Sequence, residues 1–306
     1  MTSVPAIAQT AGPGAARAAA RRGSNGRKSP FTGGQRRPGW LTYSILTVVI
    51  LISAFPFYWS FLVGSKDNQF VYSGSFNLIP GGNFVDNVRK VLESDINFWG
   101  ATLNSLLVAV SVSVSVVLFS TLAGFSFSKL RFKGRRGLLV AVIATMAVPT
   151  QLGIVPLYLV MTKLNLQGSM LAVILPGLVT AFGVFWMTQY LQDALPDELI
   201  DAARVDGCNL IRTFWHVAMP AARPAASMLF LFTFVGSWTN FMWPYIILDS
   251  RNGTLPVALQ GLQSQYYTDY PLILTGALMA TVPLLIIFVI AGKQLVAGIM
   301  AGAVKG

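Results

Sequence analysis

Side chains capable of acid–base, nucleophilic or metal chemistry are few, and nearly half of the acidic ones lie in one segment. Of the eleven Asp and Glu residues, five fall between positions 193 and 220, namely Asp193, Asp197, Glu198, Asp201 and Asp206. His216 and Cys208 are the sole histidine and cysteine, so one chain forms neither a histidine-paired metal site nor an internal disulfide. The Gly-x-x-x-x-Gly-Lys-Ser/Thr phosphate loop does not occur. We therefore predict no catalytic residue, no metal site and no cofactor held by this chain.

The acidic segment carries the signals of two short helices. Pro196 suits a first helical turn, the carboxylates that follow favour the positive N-terminal end, and Gly207 is a natural left-handed stop. These signals predict a helix from about 197 to 206. A second helix is expected from about 209 to 219, where Pro220 would end it.

The first of these helices has the composition of a docking element. Ala202 and Ala203 would leave it thin on one side, so that it could enter a groove in another protein. Asp201 and Asp206 could pair there with basic residues. Spacing alone favours a different arrangement, in which the helix lies at the membrane surface as in many polytopic proteins. Both interpretations are open at this level.

The elements that must position this segment follow from an apolar composition. Hydrophobic residues make up 54% of the chain, charged residues 11%, and the mean hydropathy is +0.61, whereas an ordinary soluble domain has about 25% charged residues. This composition excludes a soluble enzyme. Six long intervals without charge can each hold one spanning helix, because a hydrocarbon core requires roughly 20 apolar residues. We predict an all-α membrane protein with six transmembrane helices, at about 41–63, 101–128, 138–162, 169–191, 225–248 and 271–292.

Basic residues are distributed unevenly between the two sides of this arrangement. Seventeen of the 22 Lys and Arg residues fall in the N-terminal tail, the turn 129–136, the loop 193–224 and the end of the chain. The positive-inside rule places both termini in the cytoplasm. It also accounts for the net charge of +11 without nucleic-acid binding. Residues 1–38 are expected to form a disordered basic cytoplasmic tail, followed by a six-helix transmembrane domain over 39–306.

The predicted spans are polar in places but carry no charge at mid-depth. They contain Gln151, Gln189 and Asn240 and no mid-depth Asp, Glu, Arg or His, which disfavours ion or proton coupling. Prolines and glycines interrupt several spans, which indicates broken helices packed around a pathway. A path lined by amides and aromatic faces would suit a neutral, hydroxyl-rich solute. Its candidates are Trp238, Asn240 and Trp243, although packing or an interfacial belt is the commoner role of such aromatic residues.

The segment Asp201-Ala202-Ala203-Arg204-Val205-Asp206-Gly207 resembles the EAA motif of permease subunits of binding-protein-dependent ABC importers. In that motif a Glu-Ala-Ala triplet is followed two residues later by Asp-Gly. Here Asp201 replaces the Glu, and Cys208 takes the place of the small residue that usually comes next. Four further stretches resemble the carbohydrate branch of the family, of the maltose-transporter type: 104–105, 130–136, 236–244 and 301–306. In the third of them, Thr239 and Asn240 stand where the family usually has Asn and Asp, and the resemblance covers nearly all of 40–306.

This resemblance implies a heteromeric sugar importer in the bacterial plasma (inner) membrane. It implies that the chain is one of two related permeases, that two cytoplasmic ATPase subunits bind the ATP and Mg, and that an external sugar-binding protein or lipoprotein delivers the substrate. The expected substrate is a di- or oligosaccharide. The resemblance also implies that the helix at the motif docks into an ATPase subunit and couples its closure to the spans. The residues expected to carry this coupling are Glu198, Asp201, Ala202, Ala203, Asp206 and Gly207.

Two other classes of function are open. A secondary transporter or passive channel for a small neutral solute also needs several broken spans, but it needs no partner-facing helix. A membrane-embedded enzyme would need paired acids or a nucleophile with its base near a membrane boundary. Asp249 and Asp269 are expected to face outward, and the sequence gives neither an evident partner.

Overall fold

The computed structural model describes residues 39–74, 77–249, 252–263 and 268–303, with side chains described up to Ile290. The tail predicted over 1–38 lies outside the described residues. Internal packing divides the chain into two units, Met1–Ala54 and Phe55–Gly306. Within the described part of the first unit, all residues from Trp40 onward belong to a helix that continues into the second.

The described residues form helices joined by short loops and include no β-strand, which confirms the predicted all-α class for this part of the chain. The α-helices of the first half are α1 (Trp40–Gly64), α2 (Asn68–Tyr72), α3 (Phe84–Glu93), α4 (Phe98–Lys129), α5 (Arg135–Ala144) and α6 (Ile154–Lys163). Those of the second half are α7 (Met170–Ile174), α8 (Ala181–Ala194), α9 (Asp197–Val205), α10 (Leu210–Thr213), α11 (Met219–Trp238), α12 (Met242–Ile247), α13 (Leu255–Gln260) and α14 (Tyr270–Ala303).

Five helical segments in the described residues are long and apolar enough to cross a membrane. They are Trp40–Gly64, Phe98–Lys129, Met170–Ala194, Leu210–Trp238 and Tyr270–Ile290. The number becomes six if the bent pair Arg135–Ala147 and Thr150–Lys163 forms a single span. Four of the predicted spans agree with these segments to within a few residues at either end.

The third predicted span, 138–162, is interrupted. Its two halves meet at an angle of 89°. Pro149 lacks the N–H that a continuous helix needs, and its ring forces the preceding residue out of the helical region. Val148 accordingly has extended dihedral angles, φ −86° and ψ 118°. The sequence identified the helix breaker, but the size of the bend follows from how the two halves pack.

The fifth predicted span, 225–248, is displaced towards the N-terminus. The prediction that Pro220 ends a separate helix is wrong, because the helical segment runs without a break from Leu210 to Trp238. A π-helical turn at Phe214–Ala218 precedes the proline, and this wider turn lets the helix continue past a residue without an N–H. The segment instead ends at Trp238, and Pro244 lies in the first turn of the new helix α12, where proline is well tolerated.

Helix α4 lies at the centre of the second unit because its residues belong to both apolar cores. Val116 and Phe125 pack in one core with residues of α8, α9 and α11. Ala109 packs in the other core with residues of α3, α11 and α13. The helix therefore connects the acidic segment at its C-terminal end with the opposite end of the bundle.

Candidate functional site

The acidic helix α9 ends in a tightly specified turn. Gly207 has a φ of +76°, in the left-handed region that favours glycine. Its N–H donates to the carbonyl of Arg204 at 3.0 Å, and the N–H of Cys208 donates to the carbonyl of Ala203 at 2.9 Å. This pair of hydrogen bonds is a Schellman motif. The predicted left-handed stop at Gly207 is confirmed, and it fixes the direction in which the chain leaves α9.

The two faces of α9 have different environments. Ile200 and Ala203 are buried, and Ile200 belongs to the apolar core formed with α4 and α8. Leu199, Ala202 and Val205 lie on the exposed side, and Val205 is 88% exposed. Of the two predicted alanines, Ala203 therefore lets the helix lie close to the bundle, whereas Ala202 is accessible. Exposed apolar side chains grouped on a helix are a common feature of protein-binding surfaces.

Carboxylates surround this exposed apolar face. Glu198, Asp201 and Asp206 are all exposed. Asp201 accepts from the guanidinium of Arg204 at 3.0 Å, but both side chains are more than half exposed, so solvent weakens the pair. Glu198 and Asp206 take part in neither of the two ion pairs found among the described residues. The structure thus brings the predicted acids to one accessible surface.

An ion pair that the sequence analysis did not identify fixes the start of α9 to the end of α4. The Nζ of Lys129 lies 3.0 Å from Oδ1 of Asp197 and 3.3 Å from the carbonyl oxygen of Gln192. The hydrogen bond and the charge of Lys129 lower the pKa of the Asp197 carboxyl from its ordinary value of 3.8. The side chain of Lys129 is only 7% exposed, whereas that of Asp197 is 73% exposed, so the pair joins a buried cation to a carboxylate at the surface. The two residues are 68 positions apart, and no local signal in the sequence connects them.

A second feature is a cavity of about 560 Å³, at which three interruptions of the helices meet. The interruptions are the bend at Pro149, the 3-10 turn Leu175–Gly177, and the break that follows Trp238. The residues that line the cavity include Thr150, Gln151, Pro176, Gly177, Asn240 and Trp243. Broken helices around a cavity are typical of solute pathways in membrane proteins, where irregular backbone is tolerated only away from lipid.

Three polar side chains of this cavity have no hydrogen-bond partner within the described part of the chain. None of the hydrogen bonds there involves the side chain of Thr150, Gln151 or Asn240. An amide left without a hydrogen bond in hydrocarbon carries a free-energy penalty. We infer that these groups face water, a solute or another subunit rather than lipid.

Trp243 forms part of the cavity wall, and its indole N–H makes a hydrogen bond that compensates for a donor missing at a proline. In an α-helix the carbonyl of Ala172 would accept from the N–H four residues later, but that residue is Pro176, which has none. The indole Nε1–H of Trp243 donates to this carbonyl instead, at 3.0 Å and in a buried position. Trp243 therefore has a structural function at the cavity, and α12 is held against α7.

The third aromatic candidate lies elsewhere. Trp238 is 4% exposed and does not line the cavity; it packs in the core with α3, α13 and α14. Its Nε1–H donates to the carbonyl of Ala280 at 3.3 Å. The structure thus brings Asn240 and Trp243 together and separates Trp238 from them. Gln151 and Thr150, which were not among the residues predicted to line the solute path, complete the polar lining of the cavity.

Replacing Trp243 with Phe is expected to lower the free energy of unfolding by about 1–3 kcal/mol, because the buried carbonyl of Ala172 loses its donor. Trp238→Phe is the matched control. The carbonyl of Ala280 has a second donor in the N–H of Leu284, which a continuous helix supplies. Thermal unfolding in detergent would measure both variants, and equal losses would contradict the proposed need for the Trp243 donor.

Comparison with known proteins gives a consistent result for the whole transmembrane region. Residues 116–295 match the model of a family described as binding-protein-dependent transport system inner membrane component. The arabinooligosaccharides transport system permease protein AraQ of Halalkalibacterium halodurans is 31% identical, over 87% of this chain and 96% of that protein. The lactose transport system permease protein LacG of Rhizobium radiobacter is 30% identical, over 89% and 98% respectively. The sn-glycerol-3-phosphate permease protein UgpE of Escherichia coli K12 is 27% identical, over 87% and 98%.

The fold also matches a solved structure. A bacterial ABC transporter involved in the import of the acidic polysaccharide alginate contains a chain that superimposes with a TM-score of 0.71. The match covers 83% of this chain and 94% of the other, at 22% sequence identity. At that identity the comparison shows a shared fold. The sequence relatives are transport permeases rather than enzymes.

Proposed function

This chain belongs to the family of binding-protein-dependent transport system inner membrane components, and we propose that it is one transmembrane subunit of an ATP-driven importer of a di- or oligosaccharide. Its family and its apolar helices make it an integral inner membrane protein. The proposed complex contains a second permease, two cytoplasmic ATPase subunits that bind ATP and Mg, and an external sugar-binding protein or lipoprotein. The surrounding lipid is its only other expected partner, and nucleic acid is not one.

The observation that carries this proposal is the construction of α9. The helix is joined to α4 by the Lys129–Asp197 pair, it buries Ile200 in the apolar core, and it exposes Leu199, Ala202 and Val205. A helix attached to the bundle in this way can transmit a displacement to it, whereas a loosely attached one would absorb it. The contacts between α9 and an ATPase subunit would differ between the open and closed states of that subunit. This difference would shift the permease between two arrangements.

The orientation we propose follows from charge. The basic cluster 129–136 adjoins α9, and cytoplasmic loops carry an excess of Lys and Arg. In the proposed orientation, α9 and both chain termini lie in the cytoplasm, on the side where ATP would be hydrolysed. Six spans fit this orientation, with the bent pair at Pro149 counted as one of them.

The substrate class is supported by the cavity and by the named relatives. Thr150, Gln151 and Asn240 offer uncharged hydrogen-bonding groups, which suit the hydroxyl groups of a sugar. The volume of the cavity, about 560 Å³, lies within the range usual for small-molecule sites. AraQ and LacG are named for arabinooligosaccharides and lactose, and UgpE for glycerol phosphate. An uncharged lining favours the first two types of substrate.

Replacing Gln151 with Leu is expected to reduce sugar uptake about tenfold, because one hydrogen bond to the passing solute is lost, a change of about 1.4 kcal/mol. Gln189→Leu is the control, since Gln189 is also a span amide but does not line the cavity. Uptake would be measured in proteoliposomes that contain the complete complex. A Gln151→Leu variant as active as the Gln189→Leu variant would argue against a path through this cavity.

The same assay distinguishes the proposed importer from the alternatives. Uptake should require ATP on the cytoplasmic side of the membrane and the binding protein on the external side. Uptake that continues without either would instead support a secondary transporter or a passive channel.

A further inference from the structure

Two adjoining cavities lie where α4 and α10 meet, beside the acidic helix α9. The apolar groove, of about 430 Å³, has on its walls Phe119, Leu122, Phe125, Ile211 and Trp215. The basic cleft, of about 540 Å³, contains Lys129, Arg131 and Arg204 together with Asp197 and Asp201. Leu130 and Leu210 line both, so the groove and the cleft adjoin at these two residues.

The groove lies at the depth of one membrane leaflet. It extends along α4 from Leu130 back to Leu118. Eleven residues separate Leu118 from Lys129 at the end of the helix, which corresponds to roughly 16 Å at 1.5 Å per residue. The hydrocarbon of one leaflet is about half of the 30 Å core. A water-soluble partner such as an ATPase subunit cannot reach the far end of the groove, whereas an acyl chain fills a space of this depth.

The groove is accessible from the side. Phe119, Leu122, Ile211 and Trp215 are all exposed, and Ile211 is 70% exposed. Trp215 lines the groove five residues after Leu210, and tryptophan is enriched near the membrane–water interface. Phe132, which lines the cleft, is exposed as well. The arrangement is that of an apolar channel with aromatic residues at the water boundary.

The charge left over in the cleft is positive. Asp197 and Asp201 are each paired, with Lys129 and Arg204 respectively. Arg131 takes part in neither of these ion pairs, which are the two present in the described part of the chain. Arg131 itself lines the cleft, so its guanidinium is available to an anion bound there. A lipid matches both features, because its acyl chain can fill the apolar groove and an anionic headgroup can bind the unpaired cation.

We propose that an anionic phospholipid occupies the two cavities, with an acyl chain in the apolar groove and its phosphate beside Arg131. The site is separate from the sugar path, and it borders α9 without including the exposed apolar residues Leu199, Ala202 and Val205. The lipid proposal rests on the proposed function in one respect only, namely that the leaflet concerned is the cytoplasmic one. Because Leu210 follows directly on the Gly207 turn, the lipid would contact the base of the segment that we expect to move.

The test uses the full chain in its membrane assembly, reconstituted with phosphatidylglycerol that carries a photoactivatable group on its acyl chain. Labelling is expected in the groove, on the segments that contain Leu122 and Ile211, and should be weak with phosphatidylcholine of the same acyl chains. Arg131→Gln should reduce the preference for the anionic lipid about fivefold, the factor for one cation near the membrane surface. Soluble glycerol phosphate should not compete, because it has no acyl chain.

Two further variants test the groove itself. Leu122→Trp fills the groove at an exposed position and should abolish labelling there. Leu103→Trp, at an exposed position near the other end of α4, is the matched control and should leave labelling unchanged. Equal labelling by phosphatidylcholine would show ordinary boundary lipid and would overturn the proposal, as would crosslinks from the groove to a second permease. These outcomes do not depend on sugar uptake, so failure here is distinguishable from failure of the proposed function.

Discussion

Replacing Gly207 with proline is expected to abolish sugar-stimulated ATP hydrolysis by the assembled importer while leaving membrane insertion intact. Proline fixes φ near −65°, whereas Gly207 has a φ of +76°. Proline also lacks the N–H that donates to the carbonyl of Arg204. The chain would therefore leave α9 in another direction, and the exposed face that we expect to bind the ATPase subunit would be misplaced. Insertion depends on the apolar helices, which the change does not alter.

Gly207→Asn is the control for this prediction. Asparagine adopts the left-handed region more readily than other non-glycine residues and keeps the N–H. A Cβ at this position would have no neighbour within 4 Å, so the added side chain meets no obstacle. We expect the asparagine variant to retain most of the stimulated hydrolysis. Hydrolysis at the wild-type rate in the proline variant would refute the coupling role of this turn.

Replacing Gly124 with valine is expected to prevent stable packing of the bundle. A Cβ on Gly124 would lie 2.7 Å from the carbonyl carbon of Met187 and 2.9 Å from the backbone nitrogen of Thr188. These atoms belong to the main chain of α8 and cannot move aside as a side chain would. Overpacking in a core destabilises by about 1–3 kcal/mol or more, and we expect a loss at or above the top of that range.

Gly236→Val separates this steric effect from the general effect of valine in a helix. Gly236 is also in a long helix, α11, but a Cβ there would have no neighbour within 4 Å. The midpoint of thermal unfolding in detergent should fall strongly for the Gly124 variant and little for the Gly236 variant. Similar midpoints for the two variants would mean that α4 and α8 can separate without loss, contrary to the structure.

The features that the sequence predicted well are those set by local signals. Helix α9 was predicted to within one residue, because Pro196, the acids after it and Gly207 each act on their own neighbours. The end expected at Pro220 was wrong because a π-helical turn at Phe214–Ala218 precedes this proline and the helix continues past it, and the local sequence signals did not indicate such a turn. Local breakers show where a helix is weak, and tertiary packing decides whether it breaks.

The candidate cavity could be predicted only in part. The sequence supplied Asn240 and Trp243 as candidates, but their distinction from Trp238 depends on which side of the break each residue faces. The bond from Trp243 replaces a donor that Pro176 removes, yet the two residues are far apart in sequence. The Lys129–Asp197 pair is likewise non-local. Such pairings result from the arrangement of the helices, which composition and periodicity do not specify.

The central claim is that α9 receives mechanical work from a separate ATPase, and photocrosslinking from Val205 tests it most directly. A photoreactive amino acid at this position, which is 88% exposed, would be placed in the complete importer in its membrane. The same amino acid at Val85, an exposed position on α3, serves as the control. We predict a crosslink to the ATPase subunit from Val205 alone, with a yield that changes when ATP is added. Crosslinks from Val205 to lipid only, with or without ATP, would contradict the account.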